Sequence, residues 1–465
     1  MGKLKELVVI GCSGCGALAA LTAKKLDPDL QVTIVREQEE RGLLTRCATP
    51  YICCGNVMVD PSYKNDRIFR DLGIELVNVR AVEIERKAKR VTTADGNTYP
   101  YDKLVLATGA KPVIPPIPGA DRPGVFTLRT SGDAVSILHW INSRRVTKAV
   151  LVGAGAIGLE EAYLLSRQGL DVSLIEMLDR VMPRSLDADM SEGLVADMQA
   201  HGLNLKLGQR VVAIDGADTV EGVTLESGEQ IEAGLLILSV GARANAKLAE
   251  RAGLARGKLG VTVDECLRTS DPDIYAGGDL IEYRSHITGK PSLGQLRPNA
   301  VIAGRTIARN LLGYKTPYPA LVNSLCTKCF DKSIGAAGIT QEQAEQEGLR
   351  VVAAKQVSTS KHSMMNDRKP YTVKLVFDGE SQKLIGGQIV SDSECPVRYI
   401  DVIALAIRCG LKASDLATFR AAGQPELSPD PGKEPIALAA ENALREMETE
   451  RRPASEGSAP AAPVG

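Results

Sequence analysis

Two segments of the chain repeat one pattern: a short apolar strand, a glycine-rich turn, an apolar helix and a second strand that ends beside a glutamate. In the first copy the parts are residues 7–10, 11–16, a helix to Leu26, and 32–35 followed by Glu37. In the second copy they are residues 149–152, 153–158, a helix to Gln168, and 172–175 followed by Glu176. This order of elements is typical of dinucleotide-binding units. The repeat therefore predicts an α/β protein with two nested Rossmann-like domains.

The glycine-rich turns supply groups that hold a diphosphate. The turn residues are Gly11, Ser13, Gly14 and Gly16 in the first copy and Gly153, Gly155 and Gly158 in the second. Ser13 takes the place of the second glycine of the GxGxxG pattern, where a small residue still lets the backbone approach a pyrophosphate. The following helix offers N–H groups and a favourable dipole to the phosphates. We expect Glu37 and Glu176 to accept adenosine ribose hydroxyls, and Glu176 to favour NADH over NADPH.

Other strand ends carry small or acidic residues. Residues 104–108 end at Thr108 and are followed by Gly109, residues 235–240 are followed by Gly241, and residues 274–276 are followed by Gly-Gly-Asp279. An acid at the carboxyl end of a strand, beside the first nucleotide site, can hold a polyol such as the ribityl chain of FAD. We therefore expect the first unit to bind FAD and the second to bind NAD.

Composition excludes several other classes of function. The 465 residues have a net charge of −1 and contain no concentrated basic run, so nucleic acid is not an expected partner. No run of about 18 apolar residues is present, which predicts no membrane span. The four histidines are dispersed, and no metal site is expected. Ten cysteines without a secreted-domain pattern, and no export signal, indicate a cytoplasmic protein.

With these motifs assembled, the chain resembles the pyridine nucleotide–disulfide oxidoreductase superfamily. The resemblance implies hydride transfer from NADH to FAD and a homodimer held by a C-terminal α+β domain. The implied domains are FAD-binding at 1–117 and 245–320, NAD-binding at 118–244, dimerisation at 321–447, and a disordered tail at 448–465. It also implies that Val82 touches the adenine through its backbone, that Ala300 lies near the flavin, and that Glu160 lies near the nicotinamide. Asp279 is the implied ribityl ligand.

The segment from Cys47 to Tyr51, which includes Pro50, is similar to the redox centre of the superfamily's single-cysteine branch. That branch includes coenzyme A disulfide reductase, NADH oxidase, NADH peroxidase and persulfide reductase. Cys47 follows Glu37 by ten residues, as in that branch. A thiolate is the reactive form of cysteine, and we expect the adjacent Arg46 to lower the pKa of Cys47. Ile52 stands where the paired-cysteine branch has a second cysteine.

Several departures leave the electron acceptor open. The oxidases and peroxidases of the branch carry a histidine where this chain has Gly14, and the tyrosines of coenzyme A disulfide reductases are missing around His362. Gln424 stands where paired-disulfide members have an acid–base histidine. Four hypotheses remain: reduction of a disulfide, persulfide or polysulfide through Cys47; electron transfer to a redox protein partner; reduction of oxygen; and a non-catalytic redox sensor. Cys53 and Cys54 are expected to be packing thiols.

Overall fold

The computed structural model describes residues 4–37, 43–44, 46–57, 63–64 and 66–451, with the side chains of 43–44, 63–64 and 450–451 outside the description. The chain divides into two compact units. Unit 1 consists of Met1–Pro183 and Val195–Leu321, and unit 2 consists of Arg184–Leu194 and Val322–Gly465.

The helices and strands follow in chain order. Up to residue 112 they are β1 (Glu6–Ile10), α1 (Gly14–Leu26), β2 (Gln31–Val35), β3 (Leu43–Leu44), α2 (Thr49–Cys53), β4 (Tyr63–Lys64), α3 (Arg67–Arg70), β5 (Glu75–Val77), β6 (Ala81–Glu85), β7 (Arg90–Thr93), β8 (Thr98–Pro100), β9 (Lys103–Leu106) and β10 (Ala110–Pro112). From there to residue 251 they are β11 (Val125–Phe126), α4 (Ser131–Arg144), β12 (Lys148–Val152), α5 (Ala156–Arg167), β13 (Asp171–Glu176), α6 (Ala188–Ala200), β14 (Asn204–Leu207), β15 (Val211–Asp215), β16 (Gly222–Leu225), β17 (Gln230–Glu232), β18 (Leu235–Leu238), β19 (Ala242–Ala244) and α7 (Lys247–Arg251).

The remaining elements complete unit 1 and form most of unit 2. They are β20 (Ile274–Ala276), β21 (Tyr283–Arg284), β22 (Pro291–Ser292), α8 (Arg297–Leu311), β23 (Ser324–Cys329), β24 (Lys332–Gly338), α9 (Gln341–Gln346), β25 (Val351–Thr359), β26 (Pro370–Asp378), β27 (Leu384–Ser391), α10 (Glu394–Val397), α11 (Tyr399–Cys409), α12 (Ala413–Leu416) and α13 (Pro435–Arg451). Short 3₁₀ turns occupy Arg46–Ala48, Gly278–Leu280 and Pro431–Lys433.

Unit 1 contains two parallel five-stranded sheets with a similar arrangement around the central strand. Their strand orders are β20-β9-β1-β2-β5 and β11-β18-β12-β13-β14. In each sheet the strand before the glycine turn lies at the centre, paired in parallel with the strand that ends at the acid and with a later apolar strand. The apolar runs at 7–10 and 149–151 are fully buried, as expected for central strands of a parallel sheet with both faces covered.

The second sheet is inserted into the first along the chain. The chain leaves the first sheet after β9 and returns to it at β20, which pairs with β9. β10, just after the exit, pairs antiparallel with β19, which precedes the return. Helix α8 packs on α1, and Gly304 makes this approach close, since a Cβ there would lie 2.2 Å from the carbonyl oxygen of Cys15. The predicted pair of nested Rossmann-like domains is confirmed.

Unit 2 is built on an antiparallel five-stranded sheet with the order β23-β24-β27-β26-β25. Within it, β26 and β27 form an antiparallel hairpin. Helix α13 continues to Arg451, so the prediction of disorder is wrong for residues 448–451, which are helical. The apolar pattern of the helix ends at the buried Met447, and the last turn continues beyond it. Residues 452–465 lie outside the described residues. No helix within the described part of the chain is long and apolar enough to cross a membrane.

Candidate dinucleotide and redox site

The first glycine turn connects β1 to α1. Gly11 has a φ of +102°, and a Cβ there would lie 2.3 Å from the carbonyl oxygen of Ala107. A Cβ at Gly16 would lie 2.0 Å from the carbonyl oxygen of Gly11, so only glycine lets the helix start this close to the strand. Ser13 is the N-cap of α1, and its side chain makes no capping hydrogen bond. The first-turn N–H groups of α1 therefore remain suited to a phosphate.

The second glycine turn connects β12 to α5, and it too needs one glycine for a positive φ and another for a close approach of helix to strand. Gly153 has a φ of +106°, and a Cβ at Gly158 would lie 1.9 Å from the carbonyl oxygen of Gly153. A Cβ at Gly155 would meet no atom within 4 Å. The first and third glycines are thus required by packing, whereas Gly155 leaves open space at the helix N-terminus. This open cradle fits the pyrophosphate of NAD.

The two strand-end glutamates have different surroundings. Glu176 is buried, and its carboxylate accepts hydrogen bonds from the backbone N–H groups of Ala154 (2.8 Å) and Leu178 (3.0 Å). These bonds fix the carboxylate beside the turn with lone pairs left for ribose hydroxyls. Glu37 is exposed. Its neighbour Arg36 is buried and bonds both carboxylate oxygens of Asp66, at 3.0 and 2.6 Å, which anchors the end of β2.

Several other predicted cofactor residues converge on the start of α1. A Cβ at Gly14 would lie 3.2 Å from the Cβ of Ala300 on α8. Asp279 lies in the 3₁₀ turn after β20, and a Cβ at its neighbour Gly278 would lie 3.5 Å from Ala300. The structure thus groups Gly14, Ala300 and the turn that carries Asp279. Val82 lies in β6, in the separate three-stranded sheet of β6, β7 and β8.

The loop after β9 is held by hydrogen bonds to the residue that follows β19. The hydroxyl of Thr108 donates to the carbonyl oxygen of Asn245 (2.9 Å), and the N–H of Asn245 donates to the carbonyl oxygen of Gly109 (2.8 Å). Gly109 and Gly241 both have positive φ angles, +67° and +106°. Thr108 therefore shapes this loop through its own side chain, and its role toward a cofactor stays a prediction.

Arg129 is a candidate cofactor residue that the sequence patterns did not single out. Its Nη2 pairs with Oδ2 of Asp279 at 2.6 Å, and its Nε is buried without a partner among the described residues. A buried guanidinium N–H without an acceptor is unfavourable, so this group points to an anionic or polar ligand beside Asp279. An arginine just before the helix N-cap Thr130 was the signal available in the sequence.

Cys47 lies in the 3₁₀ turn Arg46–Ala48, which runs into α2, and its side chain is exposed. Partial desolvation raises the pKa of Cys47, the charge of Glu160 raises it further, and the charge of Arg297 opposes both. The pKa of Cys47 is therefore raised, not lowered as expected from the adjacent cation. The guanidinium of Arg46 donates to the carbonyl oxygen of Arg129 at 2.6 Å, and a cation that lowers the pKa of Cys47 is Arg297, on α8.

A buried carboxyl group lies one residue beyond Glu160. Glu161 is fully buried, and its Oε1 accepts a hydrogen bond from the Cys53 thiol at 2.8 Å. Burial raises the pKa of Glu161 to about 8, so this side chain is neutral at pH 7. Cys53 and Cys54 are both buried, as expected of packing thiols, but Cys53 also joins α2 to α5 through this bond. No sequence pattern pointed to Glu161.

Comparison with known proteins identifies the family. Residues 5–304 match the pyridine nucleotide-disulphide oxidoreductase family, and residues 326–431 match the dimerisation domain of the same family. The chain belongs to this family. As a pyridine nucleotide-disulphide oxidoreductase it uses FAD and NAD(H).

Relatives that align with this oxidoreductase along nearly their whole length are named either NADH oxidases or sulfur and persulfide reductases. An NADH oxidase from Methanocaldococcus jannaschii is 33% identical over 452 residues, which cover 95% of this chain and 99% of the relative. An NAD(P)H coenzyme A polysulfide/persulfide reductase from Pyrococcus horikoshii is 32% identical and covers 91% of this chain and 96% of its own. The solved structure of an NAD-dependent persulfide reductase from A. fulgidus superposes with a TM-score of 0.92 at 31% identity, covering 96% of this chain and 84% of that chain.

In unit 2, which contains the match of this oxidoreductase to the dimerisation domain, the segment around His362 is held by several hydrogen bonds. The backbone N–H of His362 donates to the carbonyl oxygen of Pro425 at 2.8 Å. The imidazole is engaged on both sides, with Nδ1 accepting from the N–H of Met364 (3.3 Å) and Nε2 lying 3.3 Å from Oδ2 of Asp430. His362 therefore orders this loop, next to the Gln424-Pro425 dipeptide that replaces the expected His-Pro.

Proposed function

We propose that this flavoprotein oxidises NADH and delivers the electrons through Cys47 to a low-molecular-weight disulfide, persulfide or polysulfide. The observation that carries the proposal is a chain of contacts from the cysteine turn to the FAD site. Arg46, next to Cys47, bonds the carbonyl oxygen of Arg129, and the guanidinium of Arg129 pairs with Asp279. An exposed thiol held on this chain has both access to a substrate and a fixed position beside the cofactor site.

In this proposal, one set of residues binds the cofactors and Cys47 carries out the sulfur chemistry. Gly155 and Glu176 would hold NADH by its pyrophosphate and adenosine ribose, while Arg129 and Asp279 would hold FAD. FAD would supply the two-electron chemistry that connects NADH to sulfur. The Cys47 thiolate attacks the outer sulfur of a persulfide RSSH, the S–S bond breaks, and RS⁻ departs and is protonated to RSH.

The second half of the cycle restores the thiolate. The attack leaves Cys47–S–SH, and one hydride equivalent from NADH cleaves its S–S bond to give the Cys47 thiolate and H₂S. Because partial burial and Glu160 raise the pKa of Cys47, the thiol form is favoured in the resting protein, and Arg297 is the cation that favours the thiolate. The reactive fraction of Cys47 is therefore expected to grow as the pH rises.

A Cys47→Ser variant tests the proposal. In anaerobic stopped-flow experiments the variant should still transfer hydride from NADH to FAD, but it should lose turnover with a persulfide or disulfide. The matched control is Cys409→Ser, which removes an exposed thiol of unit 2. Full turnover of the Cys47→Ser variant with the sulfur acceptor would refute the proposal.

Oxygen reduction is the second candidate, because the M. jannaschii relative is named an NADH oxidase and aligns along nearly the whole chain. In that case NADH-dependent oxygen consumption would match NADH oxidation without any sulfur acceptor. Turnover that needs neither Cys47 nor oxygen would instead favour the hypothesis of a redox protein partner.

We also propose a homodimer, supported by the match of residues 326–431 to the family's dimerisation domain. We propose the cytoplasmic location expected from ten cysteines without a secreted-domain pattern. Light scattering of the holoenzyme tests the dimer: a mass near twice 49.5 kDa is expected, and a monomer mass would contradict it.

A further inference from the structure

Helix α2, which carries the Cys47 turn, is too short to hold its own position. It spans five residues, Thr49–Cys53, and an isolated helix of that length is not stable in water. The position of Cys47 therefore depends on what α2 packs against. On one side that neighbour is α5, which begins at the second glycine turn and carries Glu160.

Two hydrogen bonds join the end of α2 to α5. The Cys53 thiol donates to Oε1 of Glu161 at 2.8 Å, and the side-chain amide of Gln168, the C-cap residue of α5, donates to the carbonyl oxygen of Cys54. Cys53 Sγ also lies 3.0 Å from the carbonyl oxygen of Pro50, so its single proton is shared between two acceptors. We name Cys53, Cys54, Glu161 and Gln168 the α2–α5 clamp.

The clamp contains one carboxyl oxygen without a partner. Oε2 of Glu161 is buried and accepts or donates no hydrogen bond among the described residues. In the neutral carboxylic acid this is a tolerable defect, but a carboxylate there would be a buried charge with a single weak donor. Among the described groups, the Cys53 thiol acts on Glu161 through its hydrogen bond, which lowers the pKa, and the charge of Glu160 on the same helix raises it. Cys54 lies beside Cys53, with 3.7 Å between the two sulfurs. No described cation is among these groups.

We propose that neutral Glu161 is a positioning residue that sets Cys47 in place through Cys53, and that ionisation of Glu161 opens the α2–α5 clamp. A carboxylate at this position must gain water, and water can enter only if α2 moves away from α5. Since the pKa of Glu161 is about 8, the clamp is closed at pH 7 and mostly open at pH 9. The inference rests on the proposed role of Cys47, because it concerns the delivery of electrons through that residue.

The test compares Glu161→Gln with the wild-type holoenzyme across pH 6.5–9.5, using kcat/KM for a disulfide acceptor such as 5,5′-dithiobis(2-nitrobenzoate). The amide oxygen of glutamine accepts the Cys53 thiol as the neutral acid does, but it cannot ionise. The ratio of variant to wild-type kcat/KM should be near 1 at pH 7 and rise to about tenfold at pH 9, as the neutral fraction of Glu161 falls. Any contribution of Cys47 titration is common to both proteins and cancels in the ratio.

Two further variants separate positioning from general damage. Glu161→Leu removes the acceptor and should lose about 10- to 100-fold at every pH, the range expected when a reacting group is displaced by about 1 Å. Gln168→Leu breaks the other half of the clamp without removing an ionisable group, so its ratio to wild type should be constant with pH. A pH-independent ratio for Glu161→Gln would overturn the proposal. Full activity of Cys47→Ser would refute the proposed function rather than the role of Glu161, so the two outcomes can be told apart.

Discussion

Replacing Glu161 by glutamine should make the protein more stable, and the gain should grow with pH. In the unfolded chain a glutamate ionises near pH 4.5, whereas burial raises the pKa of Glu161 in the folded protein to about 8. Between these values the folded state holds a proton that the unfolded state has lost, so wild-type stability falls as the pH rises. One pKa unit corresponds to 1.36 kcal/mol, which gives about 5 kcal/mol for the full shift. The same linkage predicts that the variant's advantage is about 3.5 kcal/mol larger at pH 8 than at pH 5.

The difference between two pH values is the quantity to measure, because the buried amide of glutamine adds a pH-independent term that cancels. Urea unfolding at pH 5 and pH 8 can be followed through the single tryptophan, Trp140, which lies on α4 in the same unit as Glu161. The control is Glu192→Gln, an exposed carboxyl on α6, which should show no such increase. An advantage of Glu161→Gln that is equal at pH 5 and pH 8 would refute the reasoning and show that Glu161 is ionised in the folded protein.

Further predictions concern the nucleotide turn and Cys47. Gly155→Val should fold normally, because its side chain enters open space, but it should raise KM for NADH at least tenfold with little change in bound FAD, as measured by steady-state kinetics and flavin absorbance. Gly158→Ala should lower the unfolding temperature by several degrees in calorimetry, since its Cβ would lie 1.9 Å from the carbonyl oxygen of Gly153. Arg297→Gln should shift the pH dependence of Cys47 alkylation by iodoacetamide to higher pH, because it removes the cation that opposes the raised pKa; an unchanged or lower midpoint would contradict this role.

The parts of the fold that depend on local pattern could be predicted from the sequence. The glycine turns are recognisable because Gly11, Gly16, Gly153 and Gly158 are fixed by backbone contacts within a few residues of chain or with the adjacent strand. The apolar central strands are recognisable because both faces are buried, which requires an unbroken apolar run. These two local constraints were sufficient for the nested fold and for both nucleotide turns.

The electrostatics of the redox site could not be predicted in this way. Arg46 is next to Cys47 in the chain, but its guanidinium bonds the carbonyl oxygen of Arg129. Arg297, which lowers the pKa of Cys47, is 250 residues away along the chain. Glu161 was likewise not singled out by any sequence pattern. Its burial depends on α2 packing over it, which is a tertiary contact with no local signal.

The most direct test of the whole account is an anaerobic titration of the flavin-loaded protein with NADH, with the wild type and Cys47→Ser compared side by side. The account predicts that the wild type, prepared with Cys47 oxidised, takes up two reducing equivalents per subunit more than its FAD requires. The serine variant should take up only those of FAD. Equal uptake by the two proteins would show that Cys47 does not exchange electrons with the flavin and would contradict the account.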